Sequence, residues 1–278
     1  MIDMLHNPFF LMALLAGIAA SLAGGVVGSY VVTKRIVFMS GSIAHAVLGG
    51  MGLALYLRRT LGLLWLKPIY GALLFAILAA IVMGIIHLYY KQREDTAIAS
   101  LWTSGMALGV IFLSLTPGYN VEVLNFLFGN ILWTSSQDIS LLLGLDLCIL
   151  VVLFFFHKKF LAICFDDQQA KIQGAPVHFL YFLLLSLIAI TVVLLIQIVG
   201  AILVIAILSL PAAIANIFSQ KFSRIMILAA LLGICFTCIG ITFSFAVNWP
   251  PGATISLVAT LGYFLGLGVK KILNTRKG

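Results

Sequence analysis

Charge is what this sequence has least of. Asp, Glu, Lys and Arg make up 9% of its 278 residues, while 63% are hydrophobic. A soluble domain carries about 25% charged residues. So little charge cannot cover a water-facing surface, and the bilayer is the solvent for most of this chain. Acids are the scarcer kind, with 8 Asp and Glu against 16 Lys and Arg, a net charge of +8. A basic balance can signal nucleic acid. Here the cations form short clusters between apolar runs, as membrane-flanking residues do, and no contiguous basic face exists. Nucleic-acid binding is excluded on that ground.

Other absences narrow the reading. No long polar stretch interrupts the apolar runs, so residues 1–278 are expected to form a single membrane domain. No Gly-x-x-x-x-Gly-Lys-Ser/Thr phosphate loop occurs, so the chain does not hydrolyse ATP by that route. The four cysteines are Cys148, Cys164, Cys235 and Cys238. The last two form a C-x-x-C, but no second pair or histidine lies nearby, and all four are read as small apolar filler. Met1 to Pro8 holds no Lys or Arg, and the run after it is too long for a signal h-region, so a first span is expected there.

What is present is a series of uncharged runs. They cover Phe9–Thr33, Ile36–Leu57, Pro68–Tyr90, Thr96–Val121, Ile139–Phe156 (broken by Asp146 alone), Ile172–Gln220 and Ile225–Val269. A crossing needs about 20 helical residues. Ile172–Gln220 as one helix would be about 73 Å long, so it must fold back, and Gln197-Ile198-Val199-Gly200 is the natural reversal. Ile225–Val269 breaks at Asn248-Trp249-Pro250-Pro251-Gly252, where the turn signals are densest. The count is nine spans, or eight if one short helix is re-entrant. With nine spans and the N-terminus outside, 13 Lys and Arg fall inside and 3 (Arg58, Arg59, Lys67) outside. A single crossing over residues 177–217 would give 7 to 9, which is no bias. The expected fold is an all-α polytopic helical bundle, N-terminus outside and C-terminus cytoplasmic.

Glycines pattern the spans. Gly41, His45, Gly49 and Gly52 share one helix face, and Gly105 with Gly109 and Gly262 with Gly266 repeat the four-residue spacing. Small residues on one face let another backbone approach closely.

Ordered motifs carry a resemblance. The stretch Lys34-Arg35-Ile36-Val37-Phe38-Met39-Ser40-Gly41-Ser42-Ile43-Ala44-His45-Ala46 resembles the signature of the ABC-3 family of metal-importer permeases. Glu94-Asp95-Thr96-Ala97-Ile98, Gly105 to Gly109, Leu115 to Val121, Leu127 to Leu132, Gly200 to Val204, Leu210 to Ala215 and Pro251-Gly252-Ala253 follow in that family's order. The resemblance covers nearly the whole chain. It implies a type II-like importer permease, itself non-catalytic, in a bacterial plasma membrane. It implies a homodimer or paired permease, two cytoplasmic ATPase subunits and an extracytoplasmic metal-binding protein. It implies zinc, manganese or iron(II) as cargo, with no permanently bound cofactor. Many members carry Asp four residues before the histidine. Gly41 stands there in this chain, so His45 lacks that partner.

His45 is the leading site candidate. A mid-span polar group is costly unless used or paired, and neutral imidazole suits Zn, Mn or Fe. The plainer alternative is a histidine bonded to a neighbouring helix. Asp146, the acid well inside a span, either lines the pathway or makes a polar packing contact. Glu94 and Asp95 open the fourth span, where carboxylates offset the helix dipole. Both, Asp95 foremost, are also candidates for the metal exit path. Glu122 and Asp138 flank a segment with Trp133 and are candidates for docking the binding protein. His6, His87, His157 and His178 lie near span ends and read as interfacial. Ala212, Ala213, Lys221 and Arg224 form the expected ATPase-coupling element, with an ordinary basic loop as the alternative. Phe165 to Gly174 is a second cytoplasmic element.

Two other functions compete. An importer of a metal chelate or vitamin would usually carry an additional N-terminal span. A stand-alone secondary transporter would need paired buried charges, and only Asp146 is offered.

Overall fold

The computed structural model describes residues 7–90, 94–118, 126, 129, 131 and 136–275. Among these residues there is no strand. Asn7 caps α1 (Pro8–Thr33), its side chain accepting the Phe9 N–H at 2.9 Å, with Pro8 in the first turn where no N–H is needed. α2 (Val37–Thr60) follows a turn in which Arg35 takes a positive φ of 63°. α3 (Pro68–Ile85) continues into one π-helical turn, Ile86–Tyr90. α4 is Glu94–Leu115, α5 Ser136–Phe165 and α6 Asp167–Ile172. α7 (Val177–Val199), α8 (Ala201–Phe218), α9 (Phe222–Val247) and α10 (Pro251–Thr275) complete the series.

Eight of these helices are long and apolar enough to cross a membrane. α8 is the ninth apolar helix, and its 18 residues reach about 27 Å, just under a hydrocarbon core of roughly 30 Å. That is the short helix on which the choice between nine and eight spans turns. Two boundaries differ from the uncharged runs. α4 stops at Leu115 because Thr116, Pro117 and Gly118 (φ 98°) end it. α5 runs on to Phe165 because Lys158 and Lys159 are good helix formers whose charge does not break a helix.

The helices pack as two compact units. One holds α1, α5 as far as Val152, α7 from Leu194, and α8 to α10. The other holds α2 to α4, the rest of α5, α6, and α7 as far as Val193. Neither is a contiguous stretch of chain.

In the first unit α1 and α9 run antiparallel along their whole length. Phe10 meets Phe245 at one end (centroids 5.0 Å) and Tyr30 meets Phe222 at the other (4.8 Å). Between them the hydroxyls of Ser21 and Thr237 are 2.8 Å apart. Ser21 gives its own proton to the Gly17 carbonyl at 2.7 Å, so Thr237 is the donor across the helices. α7 folds back into α8 at Gly200. A Cβ on Gly24 would lie 3.7 Å from Leu195 and 2.8 Å from Ile207. Those two side chains are therefore within about 7 Å of each other, whereas a straight helix would separate them by about 18 Å. Gly200 makes the turn alone, at φ 84° and ψ 161°, a backbone region left to glycine. α9 and α10 form a hairpin around left-handed Asn248. Ser244 donates its hydroxyl to the Trp249 carbonyl at 2.6 Å and its carbonyl accepts the Trp249 N–H at 3.1 Å.

In the second unit α2 packs antiparallel on α3, with the backbones of Gly50 and Gly71 in contact. It packs parallel to α4. A Cβ on Gly105 would fall 2.6 Å from the Ala46 Cα, and one on Gly109 2.5 Å from the Leu48 side chain. Only glycine lets these two backbones come so close.

Candidate functional site

The glycine seam of the second unit positions His45. Because Gly105 and Gly109 bring α4 against α2, the residue one turn before Gly105, Trp102, reaches the His45 ring. The two rings stack with centroids 4.2 Å apart and planes 19° from parallel. Both side chains are half-buried. Stacking uses the faces of the imidazole and leaves its edge nitrogens for a ligand, while the electron-rich indole face favours positive charge beside it. A neutral imidazole in this setting can accept a divalent transition ion from one side.

Asp95 lies on the same helix as Trp102, two turns earlier. It is exposed and lines an open groove of about 450 Å³ with Phe38, Ile98, Ala99, Trp102 and Thr103. α2 and α4 are parallel, with His45 level with Trp102, so Asp95 is level with Phe38. Asp95 and His45 are thus about 10 Å apart along the helices, beyond the reach of one ion. The Trp102 side chain is common to the groove and to the stack on His45.

Asp146 belongs to the first unit. It is buried on the α5 stripe of Ile139, Leu142 and Ile149, and its Oδ2 has no hydrogen-bond partner among the described residues. A carboxylate oxygen left this way is costly unless a proton or a cation attends it. Among the described residues no three His, Cys, Asp or Glu side chains converge on a metal position. Among the described residues His45 is therefore not part of a preformed three-ligand cage.

The expected coupling element lies across the α8–α9 turn. Ala212 is fully buried, in a small core with Ala215, Ile225 and Ala229. Ala213 is half-buried, and Lys221 and Arg224 are exposed, as are Asn216, Phe218 and Gln220. Ala212 thus packs the two helices together, and the surface a partner can reach is the turn beyond it. Ser219 braces that turn by accepting the Lys221 N–H at 3.3 Å. Between α5 and α7, Asp166 caps α6 by accepting from the N–H groups of Gln168 and Gln169. Asp138 sits in the first turn of α5. His6, Glu122 and Trp133 lie outside the described residues.

Sequence reasoning passes over Trp102, whose spacing of seven from Asp95 was the available signal. It also leaves His87 and His178 as unrelated interfacial residues. The structure puts Tyr89 Oη 3.3 Å from His178 Nδ1 and stacks His87 on Tyr181, centroids 4.5 Å apart.

Comparison with known proteins gives concordant results. The sequence profile of the ABC 3 transport family matches residues 6–270. A probable metal transport system membrane protein of Chlamydia pneumoniae is 48% identical over 260 residues, covering 94% of this chain and 88% of the relative. The manganese transport system membrane protein MntC of Listeria monocytogenes is 30% identical over 262 residues, covering 94% and 91%. Among solved structures, PsaBC from Streptococcus pneumoniae in complex with Fab superposes with a TM-score of 0.83 at 31% identity, covering 95% of this chain and 93% of that one.

Proposed function

The chain belongs to the ABC 3 transport family, and from that premise we propose that it is the membrane-spanning permease of an ATP-driven importer of divalent transition metal ions. The observation that carries the reading is His45, an imidazole held inside a span by Trp102 at a seam of glycines. An imidazole that belongs to no three-ligand cluster among the described residues suits an ion that must leave as readily as it enters. Manganese is the first candidate cargo because two relatives from Listeria are named for manganese transport. Zinc and iron(II) share the ligand chemistry.

ATP hydrolysis falls to two cytoplasmic ATPase subunits, which the exposed α8–α9 turn around Lys221 and Arg224 receives, with Ala212 and Ala213 holding α8 to α9 behind it. A second permease copy and an extracytoplasmic metal-binding protein complete the importer. The 13-to-3 distribution of Lys and Arg supports an outside N-terminus and a cytoplasmic C-terminus. Asp95 then lies at the cytoplasmic mouth of the α2–α4 seam, where its carboxylate draws the ion outward from His45. Asp146 offers the cation a second attraction within the membrane.

The test is uptake of radioactive manganese by cells expressing the permease with its ATPase and binding protein. His45→Ala is expected to reduce uptake at least tenfold while the amount of folded protein in the membrane stays the same. Uptake at the wild-type rate would remove His45 from the pathway.

A further inference from the structure

Positive charge is out of place at one turn of the chain. The three cations that the charge distribution leaves outside, Arg58, Arg59 and Lys67, all flank the connection between α2 and α3. No Asp or Glu occurs between Asp3 and Glu94, so α1, α2 and α3 offer them no carboxylate. The helix dipole accounts for part of the cluster. Arg58 and Arg59 lie in the last turn of α2, where cations are favoured. Lys67 stands at the start of α3, where a cation is opposed.

The two arginines line one open groove of about 620 Å³ together with Leu55, Gly62, Leu64 and Pro117. Arg59 donates an N–H to the Pro117 carbonyl at 3.1 Å, which ties the end of α2 to the end of α4 and builds the groove wall. Arg58 is half-buried, and no carboxylate or carbonyl among the described residues takes its guanidinium. A guanidinium is a rigid fork of N–H donors that fits two oxygens of one phosphate.

The surroundings of that charge are apolar. Leu64 is 77% and Trp65 70% exposed, with Leu61 exposed beside them. The connection holds them there: Gly62 turns the chain at φ 67°, and the N–H groups of Leu61, Leu64, Leu66 and Lys67 all bond nearby carbonyls within 3.0 Å. On α4, Leu108, Ile111 and Leu115 are exposed at spacings of three and four, one apolar face leading toward Pro117. A phosphate-binding fork, an interfacial indole and an apolar track within a span are the chemistry of a phospholipid, read from headgroup to acyl chain. An acidic protein surface would match the arginines but has no use for a track inside the membrane.

We propose that the groove at Arg58 binds the phosphate of an anionic phospholipid, with an acyl chain along the Leu108–Ile111–Leu115 face of α4. Arg58 supplies the fork and Arg59 the wall. A lipid seated there bridges the ends of α2 and α4, the helices that carry His45 and Trp102, and stabilises their pairing. The inference rests on the membrane-spanning fold and is independent of the cargo.

The experiment uses the full-length permease purified in detergent, with dioleoyl phosphatidylglycerol or dioleoyl phosphatidylcholine added. Native mass spectrometry counts retained lipids, and thermal unfolding gives a midpoint with each. Wild type is expected to retain one phosphatidylglycerol per chain that phosphatidylcholine does not replace, and to melt higher with it. Arg58→Gln is expected to weaken that retention about tenfold and to cancel the difference between the lipids. Arg58→Lys, which keeps the charge and loses the fork, is expected to fall between. Lys270→Gln/Lys271→Gln, at the basic end of α10, is expected to keep the wild-type preference. Equal retention of the two lipids by wild type would overturn the site, as would an undiminished preference in Arg58→Gln. Loss of preference in the α10 variant as well would overturn it too, leaving only a general attraction between lipid and charge. An Arg58→Gln permease that keeps its lipid but no longer captures the extracytoplasmic binding protein would give the groove to an acidic protein surface instead. Failure of the import reading appears elsewhere, as absent metal uptake by the assembled importer in cells.

Discussion

The imidazole of His45 lies flat on the indole of Trp102, 4.2 Å between ring centres, so the placement of that imidazole is a property of two helices rather than of the histidine motif alone. An aromatic pair of this kind contributes about 0.5–1.5 kcal/mol beyond the area it buries. Trp102→Leu keeps an apolar side chain but removes the flat, electron-rich support. Metal uptake is expected to fall about 2–10-fold, with Trp102→Phe intermediate. Equal uptake in all three would show that the stack does not position His45.

The seam behind that pair has no room. A methyl group on Gly105 meets the Ala46 backbone, which cannot rotate away. Gly105→Val is expected to cost about 1–3 kcal/mol and to lower the melting temperature in detergent. Gly144 on α5 has nothing within 4 Å of the added carbon. Gly144→Ala is expected to be neutral or stabilising by up to about 1 kcal/mol, since alanine is the better helix former. Equal melting temperatures for the two variants would contradict the close approach of α2 and α4.

Gly200 is constrained by conformation rather than by space. With φ 84° and ψ 161° it occupies a region that side chains avoid, and Gly200→Ala is expected to cost about 1–3 kcal/mol. The measurement is the yield of monodisperse protein together with its thermal midpoint. A wild-type midpoint would mean that α7 and α8 join with different geometry.

The α8–α9 turn separates packing from contact. Ala212→Leu overfills the core with Ala215, Ile225 and Ala229, and is expected to destabilise the permease by about 1–3 kcal/mol. Lys221→Gln/Arg224→Gln leaves that core intact. Its thermal midpoint is expected to stay at the wild-type value, while transport-stimulated ATP hydrolysis by the assembled importer falls several-fold. Normal stimulation in the double variant would move the ATPase contact away from this turn.

The sequence makes the membrane helices legible because charge scarcity and chain length are local properties. The reversal at Gly200 and the break at Asn248 to Pro251 are legible for the same reason: a helix of about 73 Å cannot stay in one bilayer. Pairing is another matter. Nothing local ties Trp102 to His45, or Tyr181 to both Met39 and His87, because those contacts join residues far apart in the chain. Ala212 shows the limit from the other side. Its small size fits a contact surface as well as a core, and only its neighbours Ala215, Ile225 and Ala229 distinguish the two. Asp95 was legible as a helix-start carboxylate, but the groove it shares with Phe38 and Trp102 needed α2 beside it.

α1 and α9 touch at Phe10 and Phe245, at Ser21 and Thr237, and at Tyr30 and Phe222. Two rods held at both ends and in the middle resist sliding and splaying. The α8–α9 turn at Lys221 adjoins the Phe222 end of that pair, and the Asn248 hairpin closes the other. A load applied at the turn therefore enters two helices joined from the Phe222 end to the Phe245 end rather than one.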